Sequence, residues 1–371
     1  MSPALSPKST PIPPALHIPP SDQIAKVSII DTTSHLKGLS CSSFFEPPIK
    51  GHDVLDCPVY SFLIEHEPSR GRLLFDLGVA KNWRNGPQIV VDRADTFGWH
   101  ISVTKDVADI LTEHDIELDS IQTVIWSHWH WDHTGDPSLF PSSTSLTVGP
   151  GFKAAMLPGY PTDPSSFIAE SAFKGRELVE ISFDQSPALY VGRFRVLDYF
   201  GDGSFYLLDS PGHTIGHICG LARTTPDTFV LMGGDICHHG GQLRPTEYFP
   251  LPERLDPNPT LNEPNVMPSP RTLLFHVHPT HDPTQPFYCV SKLPGGAARA
   301  DPAEAQESLE KLKEVDGHES VLTIIAHDAT WLDVLDFFPS TLNDWKVKGY
   351  KGRGMWKFLK DFRHAFSEGQ T

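Results

Sequence analysis

The sequence predicts an α/β layered fold. Three observations carry that prediction. Apolar runs of strand length come in two batches, each batch is followed by a segment with helical spacing, and several of the runs end in Gly, His or Asp at a turn. The 371 residues suffice for one large domain with insertions or for two modest ones. With 39% hydrophobic and 20% charged residues, the chain can bury a substantial core.

Residues 1–22 are dense in Pro and Ser and are expected to be a disordered tail. From Val27 the chain reads as strands, over Val27–Asp31, Val59–His66 and Arg72–Asp76, bounded by Gly and Pro. Asp106–His114 has helical spacing through Val107, Ile110 and Leu111, and precedes a strand over Thr123–Trp126. An irregular stretch over 150–176 is given one helix near Ser165–Phe173. Strands resume over Glu177–Phe183, Phe194–Tyr199, Phe205–Leu208, His217–Ala222 and Thr228–Met232. Residues 243–300 are rich in Pro and poor in pattern, and are expected to form an insertion or lid. A helix with Pro in its first turn is predicted over 302–315, then a buried strand over Ser320–Ala326. Residues 341–371 alternate Lys and Arg with Trp, Phe and Met, and are expected to form an amphipathic helix packed on the body between 23 and 340.

The bulk numbers exclude some functions. A net charge of −16 repels phosphate backbones and argues against a nucleic-acid partner. No apolar run reaches the length of a membrane span, and no basic start precedes an apolar leader. The five cysteines are scattered without C-x-x-C spacing, so a reducing, cytoplasmic setting is expected rather than a disulfide scaffold. Oligomeric state is left open, and the expected partner is a small-molecule substrate.

The chemistry concentrates at Ser127-His128-Trp129-His130-Trp131-Asp132-His133. Three imidazoles and a carboxylate fall within six positions, directly after the apolar run Val124–Trp126. Histidine nitrogen and aspartate oxygen suit zinc and similar divalent ions. Three further ligand-type side chains follow apolar strands: His213 in Pro211-Gly212-His213-Thr214, Asp235 after Gly233-Gly234, and His327 after Leu322–Ala326. If these strands lie side by side, their ends form one rim on which the ligands converge. His276, His278 and His281 in the insertion compete with His327, which is preferred because it ends a strand. Trp129 and Trp131 are expected to pack beneath the site. Asp76 is placed to order the ligand loop through hydrogen bonds.

The ordered set resembles the metallo-β-lactamase-fold hydrolases, and the lactonase-like branch among them. His128-x-His130-x-Asp132-His133 matches the H-x-H-x-D-H signature; Gly212-His213-Thr214, Gly234-Asp235, His327-Asp328 and the early Phe75-Asp76-Leu77-Gly78 look like its companions, over roughly Val27 to Leu335. The resemblance implies an αβ/βα four-layer sandwich with two divalent ions, zinc by default. It implies that His128, His130 and His213 hold the first ion, that Asp132, His133 and His327 hold the second, and that Asp235 bridges them. A metal-bridging hydroxide would then open a cyclic ester or cyclic amide, with Asp132, Asp235 and His238 as the catalytic side chains. At position 238 lactonases of the superfamily commonly carry tyrosine. The aromatics of the insertion (Tyr248, Phe249, Phe275, Phe287, Tyr288) suit an apolar or aromatic substrate, such as a secondary metabolite or xenobiotic. The alternatives are a glyoxalase II-like thioesterase, with Lys348, Lys351, Arg353 and Lys357 holding an anionic thiol carrier, a carrier-protein thioesterase, and a metal-binding module without catalysis.

Overall fold

The computed structural model describes residues 10–256, 269–293 and 300–366. Two mixed sheets face each other. The first has seven strands in the spatial order His100–Ser102, Ala25–Ser40, Val54–His66, Gly71–Phe75, Ile121–Ile125, Ser145–Val148, Leu178–Glu180. The second has six, in the order Val321–Ile324, Thr228–Met232, Ile218–Thr225, Phe205–Asp209, Phe194–Asp198, Leu189–Val191. Strand alternation explains the layering. Phe205 and Leu207 point into the core between the sheets with Phe75, Ile125 and Val230. Their neighbours Tyr206 and Leu208 point outward and pack under Leu309 and Leu312 of the helix Pro302–Asp316. On the opposite outer face, Leu74, Val124 and Leu146 are covered by Val107 and Leu111 of the helix Val107–Glu113. Helix, sheet, sheet and helix make the expected four layers.

Both helices start where the sequence says. Asp301 caps the first turn of Pro302–Asp316 by accepting from the Ala303 and Glu304 amides, and Pro302 occupies the position that needs no donor. Asp106 and Asp109 form a reciprocal capping box at Val107–Glu113.

Several expectations are corrected. Residues 10–22 are not a loose tail: Leu16 is buried against the second sheet, its carbonyl accepts from Gly192 N, and Pro19 O accepts from Arg223. Residues 1–9 lie outside the described residues. The helix expected near Ser165–Phe173 is only a tight turn at Glu170–Ala172, and the helical turn lies earlier, at Phe152–Met156. The helix Gln88–Phe97 and the strand Ser145–Val148 were not anticipated.

The C-terminal segment is not one amphipathic helix. It breaks into Tyr350–Gly354, a tight run Lys357–Phe362 and Arg363–Phe366. Glycines at 349, 352 and 354 weaken any continuous helix, and a Cβ on Gly354 would lie 2.2 Å from the Trp331 ring. Lys351 is buried and donates to the carbonyls of Asp316, His318 and Val321, where the helix Pro302–Asp316 ends. It is therefore not free to hold an anionic carrier, and Lys348 is paired with Asp336 and Asp344. Within 243–300 the described parts are packed on the body: Cys289–Val290 pairs with Phe45–Glu46, and Phe287 and Tyr288 sit in a cluster with Phe358 and Phe362. Residues 257–268 and 294–299 of that insertion lie outside the described residues.

Candidate metal centre and substrate cavity

Strand ends deliver the ligands. Phe75 is followed by Asp76, Ile125 by the 127–133 loop, Asp209 by His213, Met232 by Asp235 and Ile324 by His327. The seven side chains named from the sequence fall into two adjoining groups. His128, His130, His213 and Asp235 form one, and Asp132, His133 and His327 the other, with the ligand atoms of each group within 4.8 Å of one another. His213 Nε2 lies 3.2 Å from His128 Nε2 and 3.0 Å from His130 Nδ1. Asp235 sits between the groups with one oxygen on each. Its Oδ1 is 3.2 Å from His133 Nε2 and 3.1 Å from His327 Nε2, while its Oδ2 is 3.4 Å from His213 Nε2 and 3.7 Å from His128 Nε2. Oδ1 and His133 Nε2 are buried at this distance without hydrogen-bond alignment. Donor atoms aimed at a common centre rather than at each other have that geometry, and the set fits divalent cations.

Hydrogen bonds on the far side of the rings fix the tautomers. His133 Nδ1 is 2.9 Å from Asp76 Oδ2, and His327 Nδ1 is 3.1 Å from the Pro58 carbonyl. Both partners only accept, so Nδ1 carries a proton and Nε2 is the atom turned inward. Ser127 Oγ gives its proton to Asp76 Oδ2 at 2.7 Å, and so must accept from His128 Nδ1 at 3.0 Å. The same carboxylate takes the Ser127 amide at 2.6 Å. Asp76 therefore orders the ligand loop, as its place in the sequence suggests. His217 was missed: its Nδ1 donates to Ser210 O and its Nε2 accepts the Asp235 amide, each at 3.0 Å. The spacing His213-x-x-x-His217 was its only signal.

The competing histidines of the insertion stay away. His278 Nε2 donates to Gln285 O at 2.7 Å, and neither His276 nor His281 joins a ligand group among the described residues. A third gathering, His52, His239 and Asp361, looks like a cation cage but is otherwise committed. His239 Nδ1 accepts the Gly241 amide at 3.0 Å, so its proton sits on Nε2, 3.3 Å from Asp361 Oδ2. That contact ties the C-terminal segment to the turn after His238.

A match to the family model described as "Metallo-beta-lactamase superfamily" covers residues 54–291. The chain belongs to the metallo-beta-lactamase superfamily. Over 357 residues it is 44% identical to "Gamma-lactamase FDB1" of Fusarium pseudograminearum (strain CS3096), spanning 95% of this chain and 86% of that protein. It is 41% identical over 369 residues to "Cytochrome P450 monooxygenase mpaDE'" of Penicillium brevicompactum, where it spans 97% of this chain but only 40% of that longer protein. In fold it is similar to the N-acyl homoserine lactone hydrolase solved with the product N-hexanoyl-L-homoserine bound at the catalytic metal center, with a TM-score of 0.56, 20% identity, and coverage of 86% of this chain and 99% of that one.

Four of the seven candidate ligands, His130, Asp132, Asp235 and His327, line a cavity of about 480 Å³. Two corrections concern its walls. Trp129 and Trp131 do not lie beneath the site but line the cavity on either side of His130 in the chain. Trp131 stacks with Trp99 (centroids 6.0 Å apart, 18° between planes), and Trp129 meets Phe167 at 5.6 Å. The expected aromatics of the insertion are absent from the lining; among the described residues of 243–300 only Leu293 reaches it. Phe44, Leu39 and Leu55, from the first sheet and the turn after its long strand, complete the apolar wall. His238 also lines it, with Nε2 3.2 Å from Asp235 Oδ2 and its amide held by Gln242 Oε1 at 2.8 Å.

Burial and neighbouring charge divide the two ligand groups. Burial pushes His130 down to about 3 and holds His128 and His213 well below the ordinary histidine value, so these rings are neutral and ready to donate. At His133 and His327 burial also opposes charge, but the carboxylates outweigh it. Asp235, with Asp76 and Asp132, raises His133 to about 10, and Asp235 raises His327 well above its usual range. Asp235 is held well below the carboxylate range despite burial, chiefly by His327 and His133. Asp132 is raised by burial. Cation binding at the second group must displace protons. Among the described residues no helix is long and apolar enough to cross a membrane.

Proposed function

We propose that the chain is a dinuclear metal-dependent hydrolase that opens a cyclic amide or cyclic ester of a small, flat molecule. One observation carries this reading: a carboxylate with one oxygen on each of two imidazole-rich groups, at the floor of an aromatic-walled cavity. His128, His130 and His213 would hold one divalent ion and Asp132, His133 and His327 a second, with Asp235 shared and zinc the default. When bound, such ions acidify a water molecule and polarise a carbonyl. The chain's own part is to fix the lone pairs inward through Asp76, Pro58 and Ser127, and to hold the Asp235 backbone through His217. His238, on the wall beside Asp235, is placed to hydrogen-bond a developing oxyanion or to protonate the leaving atom. Trp129, Trp131 and Phe44 exclude water and present flat apolar faces to a ring. The similarity to a protein named gamma-lactamase supports the cyclic amide over the cyclic ester.

A panel of lactams, lactones and thioesters, assayed with the metal-loaded protein and with Asp235→Asn, tests the reading. The variant should lose activity on every substrate that the wild type accepts; undiminished turnover would refute the bridging role. Metal analysis should return about two ions per chain, and a reproducible value of one would replace the dinuclear reading with a mononuclear one.

A further inference from the structure

Among the described residues, the cavity wall carries a single Lys or Arg side chain, that of Arg93. It stands on the helix Gln88–Phe97, where Val90, Arg93 and Phe97 share one face through spacings of three and four residues, and all three line the cavity. Its guanidinium carbon lies over the Phe167 ring, 4.6 Å from the centroid. A guanidinium can hold its positive charge over a ring while its N–H donors still reach an anion. Those donors meet no carboxylate among the described residues. Arg72, Arg84, Arg193, Arg195 and Arg244 each pair with one, whereas the buried Arg223 and the half-buried Arg176 spend their donors on backbone carbonyls. Arg93 thus offers a positive charge and N–H donors to the cavity of a chain whose net charge is −16.

Depth adds direction. The ligand side chains Asp132, Asp235 and His327 are buried at the floor, whereas Phe97 is 61% exposed and Arg93 and Phe167 are half-buried, so Arg93 belongs to the mouth. A flat ring whose scissile carbonyl rests on the floor turns its opposite edge toward Arg93. The carboxylate released by ring opening would stay at the floor and cannot be what this side chain receives.

We infer that Arg93 is a specificity residue, selecting flat ring substrates that bear an anionic oxygen group, a carboxylate or a phenolate, on the edge opposite the bond to be cleaved. The inference takes the scissile bond from the hydrolase reading above, but the anion subsite can be tested without turnover. Calorimetric titration of the metal-loaded protein compares oxindole with its benzo-ring carboxylate, the acid lying opposite the lactam carbonyl. The wild type should bind the carboxylate about tenfold more tightly, the scale of one charge-assisted contact at a partly exposed site. Arg93→Met keeps the apolar stem and should bring that ratio close to one. Arg93→Lys should give an intermediate ratio, since it keeps the charge but not the planar fork. Three results would each overturn the inference: equal affinities in the wild type, a ratio that survives Arg93→Met because the carboxylate sits on the floor ligands, or an Arg93→Met variant that weakens both probes alike because the side chain only braces Phe167. If the binding ratio behaves as expected but neither oxindole nor dihydrocoumarin, nor any other ester or amide, is hydrolysed, the hydrolase reading fails and the anion subsite stands.

Discussion

Two halves of the molecule supply the candidate ligand set, and they hold it by different means. The first half places His128, His130, Asp132 and His133 on one short loop. Ligands that close in sequence repel and crowd, and here a single buried carboxylate, Asp76, organises the loop by accepting from Ser127 and His133. The second half brings His213, Asp235 and His327 from three separate strand ends, where close backbone packing adds to single hydrogen bonds with His217 and Pro58. A Cβ on Gly212 would lie 2.1 Å from Ala305 N, and one on Gly234 would lie 2.9 Å from Ser127 Cβ. Ala326 N also donates to Gly234 O at 3.0 Å, joining the last two strand ends directly. A ligand-dense loop needs an internal organiser; ligands at strand ends inherit their positions from the sheet.

The comparison can be broken most forcefully at the residue both halves share. Asp235→Asn should lower turnover by about a thousandfold or more, since every interaction that depends on the second oxygen's charge is lost at once, and steady-state assays with metal analysis would show it. Next comes the packed half. Gly212→Ala, at φ +118° with the Ala305 backbone in the way, should destabilise the fold by about 3 kcal/mol or more, visible as a lower Tm. In the hydrogen-bonded half, Asp76→Asn should instead weaken metal affinity by about 10- to 100-fold, with a smaller change in Tm than Gly212→Ala. Competition with a chelator would measure the affinity. If the two variants gave the same ratio of metal loss to Tm loss, the contrast between the halves would be wrong.

The smallest effect is expected away from both groups, at His52. Burial, with His239 nearby, lowers this ring from 6.5 to about 3, against a weaker pull from Asp361. The folded state therefore favours the neutral form. Stability from this site is complete above about pH 6.5 and is lost as the pH falls from there toward 3. A pH series of Tm values should be flatter across that window in His52→Gln than in the wild type, by a few degrees at most.

Much of this site was legible in the sequence because strand ends and turn glycines advertise themselves locally. The 127–133 loop, Gly212-His213, Gly234-Asp235 and His327 each carry their signal within a few residues. What was illegible depends on contacts far apart in the chain. Phe44, Phe97, Trp99 and Phe167 become one wall only when three segments meet, and no local pattern marks them. Leu16 reads as part of a Pro-rich tail until Gly192 and the helix Pro302–Asp316 are in place to bury it. The C-terminal segment shows the opposite error. Its alternation of basic and aromatic residues suggests a continuous helix, but close approach of Gly354 to Trp331 and of Lys351 to three carbonyls determines its path.

Trp129 and Trp131 bracket a metal-type ligand and face the same cavity, with Trp99 stacked behind one of them. Three further tryptophans, at 126, 331 and 345, are sealed in the interior. The chain thus contains its own optical reporter, in which indoles at the cavity respond to whatever enters while the sealed ones supply a constant background. Emission quenching could then follow occupancy of this site in real time, with no label attached and no substrate identified beforehand.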